Sequence, residues 1–454
     1  MSIGDKQIRL INCANIFLKH LEFSNIDTSL SSFCYFTSWS KSPGYAKLKY
    51  WLNGLSFAFK FCKIILKNVL AISSHTKYIE ISNQDSFSKY DIIVISWSFK
   101  KNFLPDGSYQ DIYFNENSKD LPNSYWILIS TDDYGPSNLN SNIKVIKKEK
   151  GLFKYNFFSF IKILISIIID CKFSPKKIYH YLSFPSYFAK LMSRLVVKEL
   201  KNNTYKVILL PYEGQPFQNN VFSEAKKFDK KILTIGYLHS LLTPLTCEHI
   251  YRSGAPDLLL VHGESQIEIL KSKLNWSQNK LLLIQSLRYR LNKNKSLSNK
   301  IFLPFDILNS NLYINEFKKI LISSSLNNFS RFNITNHPAM TNSKKHLDLK
   351  IKLEKVMEIY KDRFSNNSLN KKTSVFFGVT AAIFEALEKG IDVIHVCSDP
   401  VFESHSEKIW PNLKVKQLSK FVFHYNLALP GKYIIFGQAD KTLNKIIKSL
   451  KLFS

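Results

Sequence analysis

The residues of this chain best suited to chemistry fall just after short apolar runs. Glu213 follows residues 205–211 (YKVILLP), His239 follows 231–237 (KILTIGY), and His262 and Glu264 follow 257–261 (DLLLV). If these runs are neighbouring strands, three successive strand ends present ionisable side chains to one edge. Glu213 lies in PYEGQPF, where Gly214 permits a tight turn and Pro216 suits the first position of a helix. A carboxylate on such a corner can take a proton from a hydroxyl, and His239 is a second candidate catalytic group beside it. The competing role for Glu213 is that of an acidic residue stabilising a helix N-terminus.

A second constellation lies further along. Residues 332–335 end in Asn336-His337-Pro338, where the proline restrains the backbone so that the imidazole can be aimed at a phosphate. Residues 374–396 (SVFFGVTAAIFEALEKGIDVIHV) read as a strand ending at Gly378, a helix from Thr380 and a further strand after Gly390. Gly378 lets a ligand approach the backbone, and the Thr380 hydroxyl with the free amides around Ala381 suits a phosphate. Glu385 can accept hydrogen bonds from ribose hydroxyls, or be an ordinary exposed helix glutamate. Arg288, in Leu287-Arg288-Tyr289, can neutralise a leaving group. There is no P-loop and no GxGxxG, Asp132-Asp133 has the wrong spacing for a metal-binding carboxylate pair, and no His/Cys spacing suits zinc. No resident metal or cofactor is expected.

The elements that must position these groups are continuous apolar runs separated by helical stretches, including 281–284 in the first half and 301–305 in the second. That pattern predicts an α/β, doubly wound parallel sheet covered on both faces. Residues 92–96 and 126–130 read as further buried strands of the first sheet. The polar stretch LNKNKSLSNK divides the chain into a domain over 1–290, a linker over 291–299 and a domain over 300–454 that closes with a helix over 441–452. At 454 residues, two such domains fit better than one.

Composition excludes several classes. With 45% hydrophobic and 22% charged residues and no apolar run of 18, the chain is neither disordered nor a multi-span membrane protein. The longest greasy stretch, 157–169, reads as a buried helix. Residues 48–72 read as a helix with Lys60, Lys63 and Lys67 among Phe57, Phe59, Phe61, Ile64 and Leu66. Such a helix suits peripheral contact with an anionic membrane; a half-buried core helix with solvated lysines has the same pattern. Six scattered cysteines without a CxxC pair, and an N-terminus without a long apolar stretch, point to the cytoplasm or the inner face of its membrane. The net charge of +28 admits a non-catalytic polyanion binder, although the lysines are spread along the chain and mark no specific nucleic-acid site.

The strand-HP turn and the GVTxxxxEALxxGxxVI segment resemble the nucleotide-sugar domain of GT-B glycosyltransferases, over roughly residues 205–410. PYEGQPF, GYLHS, the 256–263 segment and Leu287-Arg288-Tyr289 are similar to bacterial surface-carbohydrate (capsule or lipopolysaccharide) glycosyltransferases. The EG and HP pairs resemble those of bacterial sialyltransferases, with Tyr212 standing where that family has an acidic residue. The resemblance implies two Rossmann-like domains facing a cleft. It implies metal-independent sugar transfer from a nucleotide-sugar donor, held by His337, Pro338, Gly378, Thr380, Ala381, Glu385 and Arg288. The acceptor would be a glycan or lipid-linked glycan, deprotonated by Glu213. A non-hydrolysing nucleotide-sugar epimerase shares this layout and remains the alternative enzyme.

Overall fold

Strands that are apolar along their whole length must be covered on both faces, and this chain supplies enough of them for two sheets. The computed structural model describes residues 1–37, 41–73, 78–83, 90–149, 157–289, 297–323, 330–337, 340, 343–364, 372–438 and 443–449. Its first sheet contains β1 (Tyr78–Ser82), β2 (Ile92–Ser98), β3 (Ser124–Ser130), β4 (Ile143–Lys148), β5 (Val207–Pro211), β6 (Leu233–Tyr237), β7 (Leu258–Val261) and β8 (Leu281–Leu283). Their spatial order is β1-β4-β3-β2-β5-β6-β7-β8, with β1 antiparallel to β4 and every other pair parallel. The second sheet contains β9 (Lys300–Phe302), β10 (Asn333–Thr335), β11 (Thr373–Phe377), β12 (Asp392–Val396), β13 (Leu413–Gln417) and β14 (Val422–Leu427), in the order β10-β9-β11-β12-β14-β13. Strands β9 to β12 are parallel, as the sequence pattern predicts. The antiparallel pair β13–β14 on one edge departs from the all-parallel expectation.

Helices flank both sheets. The first unit carries α1 (Ile3–Phe23), α2 (Pro43–Asn53), α3 (Ala58–Leu70), α4 (Phe157–Asp170), α5 (Pro175–Tyr181), α6 (Phe184–Asn202), α7 (Pro216–Phe228) and α8 (Glu264–Leu274). After these come α9 (Ser310–Ile322), α10 (Lys344–Ile359), α11 (Ala382–Glu388), α12 (Pro400–Glu403) and α13 (Leu443–Ser449). Phe317 and Leu321 on α9 and Leu353, Val356 and Met357 on α10 are buried, with Ile314 partly buried beside them.

The two ends of the chain cross between the units. Leu443 and Ile447 of α13 pack with Ile92 and Leu209 of the first sheet, and the Gln7 amide on α1 donates to the carbonyls of Val401 (3.0 Å) and Ser404 (2.7 Å) beside α12. Most of the expected linker, residues 291–296, lies outside the described residues, as do 441–442 and 450–452 of the expected last helix.

Two helices differ from their sequence reading. The helix expected over 48–72 breaks at Gly54, whose φ of +61° suits glycine, and the second piece, α3, buries none of its side chains. Helix α4, expected to be buried, packs Phe160, Ile163, Leu164 and Ile167 on the core yet leaves Ile165 and Ile169 more than half exposed. An apolar run reports hydrophobicity on every face, and only one face finds a partner.

Candidate active site

The register of the first sheet gathers the candidate residues. Pro211 of β5 pairs with Tyr237 of β6, and Tyr237 with Leu260 of β7, so the positions two beyond each of these aligned residues, Glu213, His239 and His262, line one edge. The Nε2–H of His239 donates to Glu213 Oε1 at 3.2 Å, and the Gln215 amide donates to Glu213 Oε2 at 2.6 Å. The Glu213 side chain keeps 27% of its surface exposed while that of His239 keeps 4%, so the carboxylate faces solvent with the imidazole behind it.

Burial pushes the Glu213 carboxyl up, but the hydrogen bond and charge of His239, with the Gln215 bond, outweigh it and hold the pKa below the usual value. For His239 burial wins, lowering its pKa although Glu213 pulls the other way. At neutral pH the pair is a carboxylate beside a neutral imidazole. His239 Nδ1 has no hydrogen-bond partner among the described residues, consistent with the tautomer that carries its proton on Nε2.

The corner itself is heavily pinned. Gly214 sits at φ +66°, and a Cβ there would lie 2.1 Å from the Glu248 carbonyl oxygen. The buried Arg252 guanidinium donates to the carbonyls of Gly214, Glu248 and Ile250. The Gln218 side chain accepts from the backbone N–H groups of Glu213 (2.8 Å) and Gln215 (3.0 Å) and donates to the Pro211 carbonyl (2.7 Å). Gln218, and not Glu213, therefore serves the backbone amides ahead of α7, which leaves the Glu213 carboxylate free of the helix-stabilising role. Sequence reasoning passed over Arg252 and Gln218; the second stands in the same PYEGQPFQ segment, whereas nothing in the spacing marks the first.

Other candidates separate by burial. His262 is fully buried against Tyr237 and Tyr289, where burial lowers its pKa to about 3. Glu264 is exposed and ion-paired with Lys432. His262 is therefore sealed by packing at that edge, and Glu264 is held in a surface ion pair. Tyr113, from the loop after β2, sets its ring 4.5 Å from that of His239 and also lies under the Arg288 guanidinium at 6.0 Å. No sequence signal pointed to it.

Arg288 lies beyond β8, at the end of the first unit. Its backbone N–H and that of Leu287 donate to the Tyr237 hydroxyl at 3.3 and 3.0 Å, and its guanidinium has no ion-pair partner among the described residues. Its charge acts on Glu213 and His239 on one side and on His337 on the other. His337 follows β10, packs edge-on to Phe305 at 5.3 Å, and has its pKa lowered first by burial and then by His346 and Arg288. Pro338 lies outside the described residues.

Just beyond β11, which β9 separates from β10, Gly378 has φ +61°, and the space a side chain would need is taken by Pro304 (3.0 Å) and the Tyr313 hydroxyl (3.1 Å). The Thr380 hydroxyl accepts from the Ala382 N–H at 3.3 Å, and Ala381 caps α11, which starts two residues later than expected. Glu385 is 22% exposed in its side chain and paired with Lys389 at 2.8 Å. Among the described residues no cluster of three or more His, Cys, Asp or Glu could hold a metal ion.

No family model matches the chain, and no curated protein matches it. Among solved structures, a glycosyltransferase from Rickettsia africae ESF-5 is 11% identical, with 70% of this chain and 86% of that one covered and a TM-score of 0.30. The wall teichoic acid polymerase TagF is 9% identical, with 67% and 69% covered and a TM-score of 0.28. Likenesses this distant assign the chain to no family.

Proposed function

We propose that the chain is a GT-B-type glycosyltransferase of surface-carbohydrate synthesis. The observation that carries this reading is the partly exposed Glu213 carboxylate, oriented by His239 and Gln215 at the carboxyl edge of one sheet, with the Arg288 guanidinium against Tyr113, the ring that packs on His239. Glu213 takes the proton of an acceptor hydroxyl on a glycan or lipid-linked glycan. That oxygen bonds to the anomeric carbon of the donor sugar as the bond to the nucleotide phosphate breaks. The charge left on the phosphate is met by Arg288, a permanent cation, and by hydrogen bonds from the neutral His337, the Thr380 hydroxyl and the backbone near Ala381 and Gly378. Glu385, whose Oε1 is held by Lys389, accepts from the ribose hydroxyls through its other oxygen. In this scheme the leaving group needs no metal.

Nucleotide binding tests the donor half. Arg288→Ala and His337→Ala should each weaken binding of the preferred nucleoside phosphate by about 1.5 to 3 kcal/mol, the worth of a hydrogen bond to a charged group, and excess EDTA should change nothing. Calorimetry showing unchanged affinity in both folded variants would move the nucleotide elsewhere, and loss of binding in EDTA would bring in a metal.

A further inference from the structure

Two helices outside the cleft expose apolar residues in register with lysines. On α4, Ile165 is 52% and Ile169 56% exposed, and Phe173 just beyond the helix is 72% exposed. On α3, Phe59 is 92%, Leu66 58% and Leu70 52% exposed, interleaved with the exposed Lys60, Lys63 and Lys67. The spacing of four between Ile165 and Ile169, and between Leu66 and Leu70, puts each pair on one helix face. Phe33 links α3 to α5, and α5 packs against α4. The Phe33 ring lies 6.5 Å from Phe61 of α3 and 4.6 Å from Tyr179 of α5, the helix that α4 leads into.

The charge on this surface has one sign. No Asp or Glu occurs between Asp27 and Glu80, a stretch that includes all of α3, and on α4 the one acid, Asp170, is already paired with Lys190 and Arg194. Exposed Lys162, Lys172 and Lys176 lie along α4 and α5.

From this pairing of apolar side chains with uncompensated lysines we infer that α3 and α4 form a docking surface for an anionic lipid bilayer. The apolar residues enter the headgroup boundary while the lysine stems reach sideways to lipid phosphates. The chemistry disfavours a protein occupant. Interface cores are depleted in lysine, and a two-fold pairing of this face with its own copy would set like charges against each other. The helices do not cross the membrane. The 14 residues of α4 span about 21 Å against a hydrocarbon core of about 30 Å, and no described helix is long and apolar enough to span. The surface adjoins a cavity of about 410 Å³ lined by Lys41, Lys67, Phe305 and Lys345, beside His337, so docking would bring the edge of the cleft to the lipid headgroups. The inference stands whether or not the chain transfers sugar.

Sedimentation with vesicles tests it. The full chain should sediment with vesicles of 70% phosphatidylcholine and 30% phosphatidylglycerol at about 0.1 M salt. Partitioning should fall at least tenfold on pure phosphatidylcholine or at about 0.5 M salt, since surface charge is screened within a Debye length. A Lys60→Glu/Lys63→Glu/Lys67→Glu variant and, separately, an Ile165→Ser/Ile169→Ser/Phe173→Ser variant should each lose tenfold or more on the anionic vesicles. Both should keep the wild-type melting temperature, because the altered side chains are exposed. Wild-type protein left in the supernatant, partitioning indifferent to both variants, or a dimer that the same substitutions dissolve would overturn the inference.

Discussion

Glu213→Gln is expected to keep the fold and the nucleotide affinity while turnover falls by roughly 10²- to 10⁴-fold, the usual contribution of a general base. The fold should survive because the turn is held by backbone and neighbouring groups: Gln218 serves the amides of Glu213 and Gln215, and Arg252 holds the Gly214 carbonyl. The new amide would still accept from His239 but would oppose one donor to another at Gln215, a loss of about 1 kcal/mol. Turnover should fall towards the lower end of the range. A carboxylate whose pKa is held below its usual value is fully ionised at neutral pH but is a weaker base, so less is lost when it goes. A helix-stabilising Glu213 would give the reverse, a lower melting temperature with turnover intact. Melting temperature, nucleotide affinity and turnover measured on one preparation separate the two.

Gly214→Ala should be among the most damaging single-methyl changes. At φ +66° a non-glycine residue costs about 1 to 2 kcal/mol from left-handed backbone alone. The added methyl would also lie 2.1 Å from the Glu248 carbonyl oxygen, which Arg252 holds in place, so the turn must move and not merely the neighbour. A total loss of about 3 kcal/mol or more is expected, within the range for strain at a special backbone position plus overpacking. Thermal denaturation checks it, and an unchanged midpoint would mean that the corner is looser than its contacts indicate. Because Glu213 adjoins the turn, turnover should fall in the folded fraction too.

Much of this arrangement is legible in the sequence. Runs such as VILLP and LLLV announce covered parallel strands, and equal offsets past their ends place Glu213 beside His239 once the register is known. Periodicity could not reveal what depends on distant partners. Tyr113 reaches His239 from a loop about 125 residues earlier, and Arg252 reaches Gly214 through a segment without regular spacing. His262 shares the offset of His239 but is sealed by two tyrosines, a difference of packing that no spacing encodes. The alternating LKVKQ of β13, with Lys414 and Lys416 exposed, escapes a reading that looks for continuously apolar runs. Helix α4 is the converse case: its composition announces a core helix, and its neighbours cover only one side.

The most direct measurement follows the fate of the sugar. Purified protein would be incubated in excess EDTA with labelled nucleotide sugars and a lipid-linked glycan fraction, and both products would be quantified. The account predicts label in the glycan, matched one for one by nucleoside phosphate, and release that depends on the acceptor. Label recovered instead in an isomeric nucleotide sugar would mean an epimerase. No consumption of any donor, with tight salt-sensitive binding to every polyanion offered, would contradict the enzyme reading altogether.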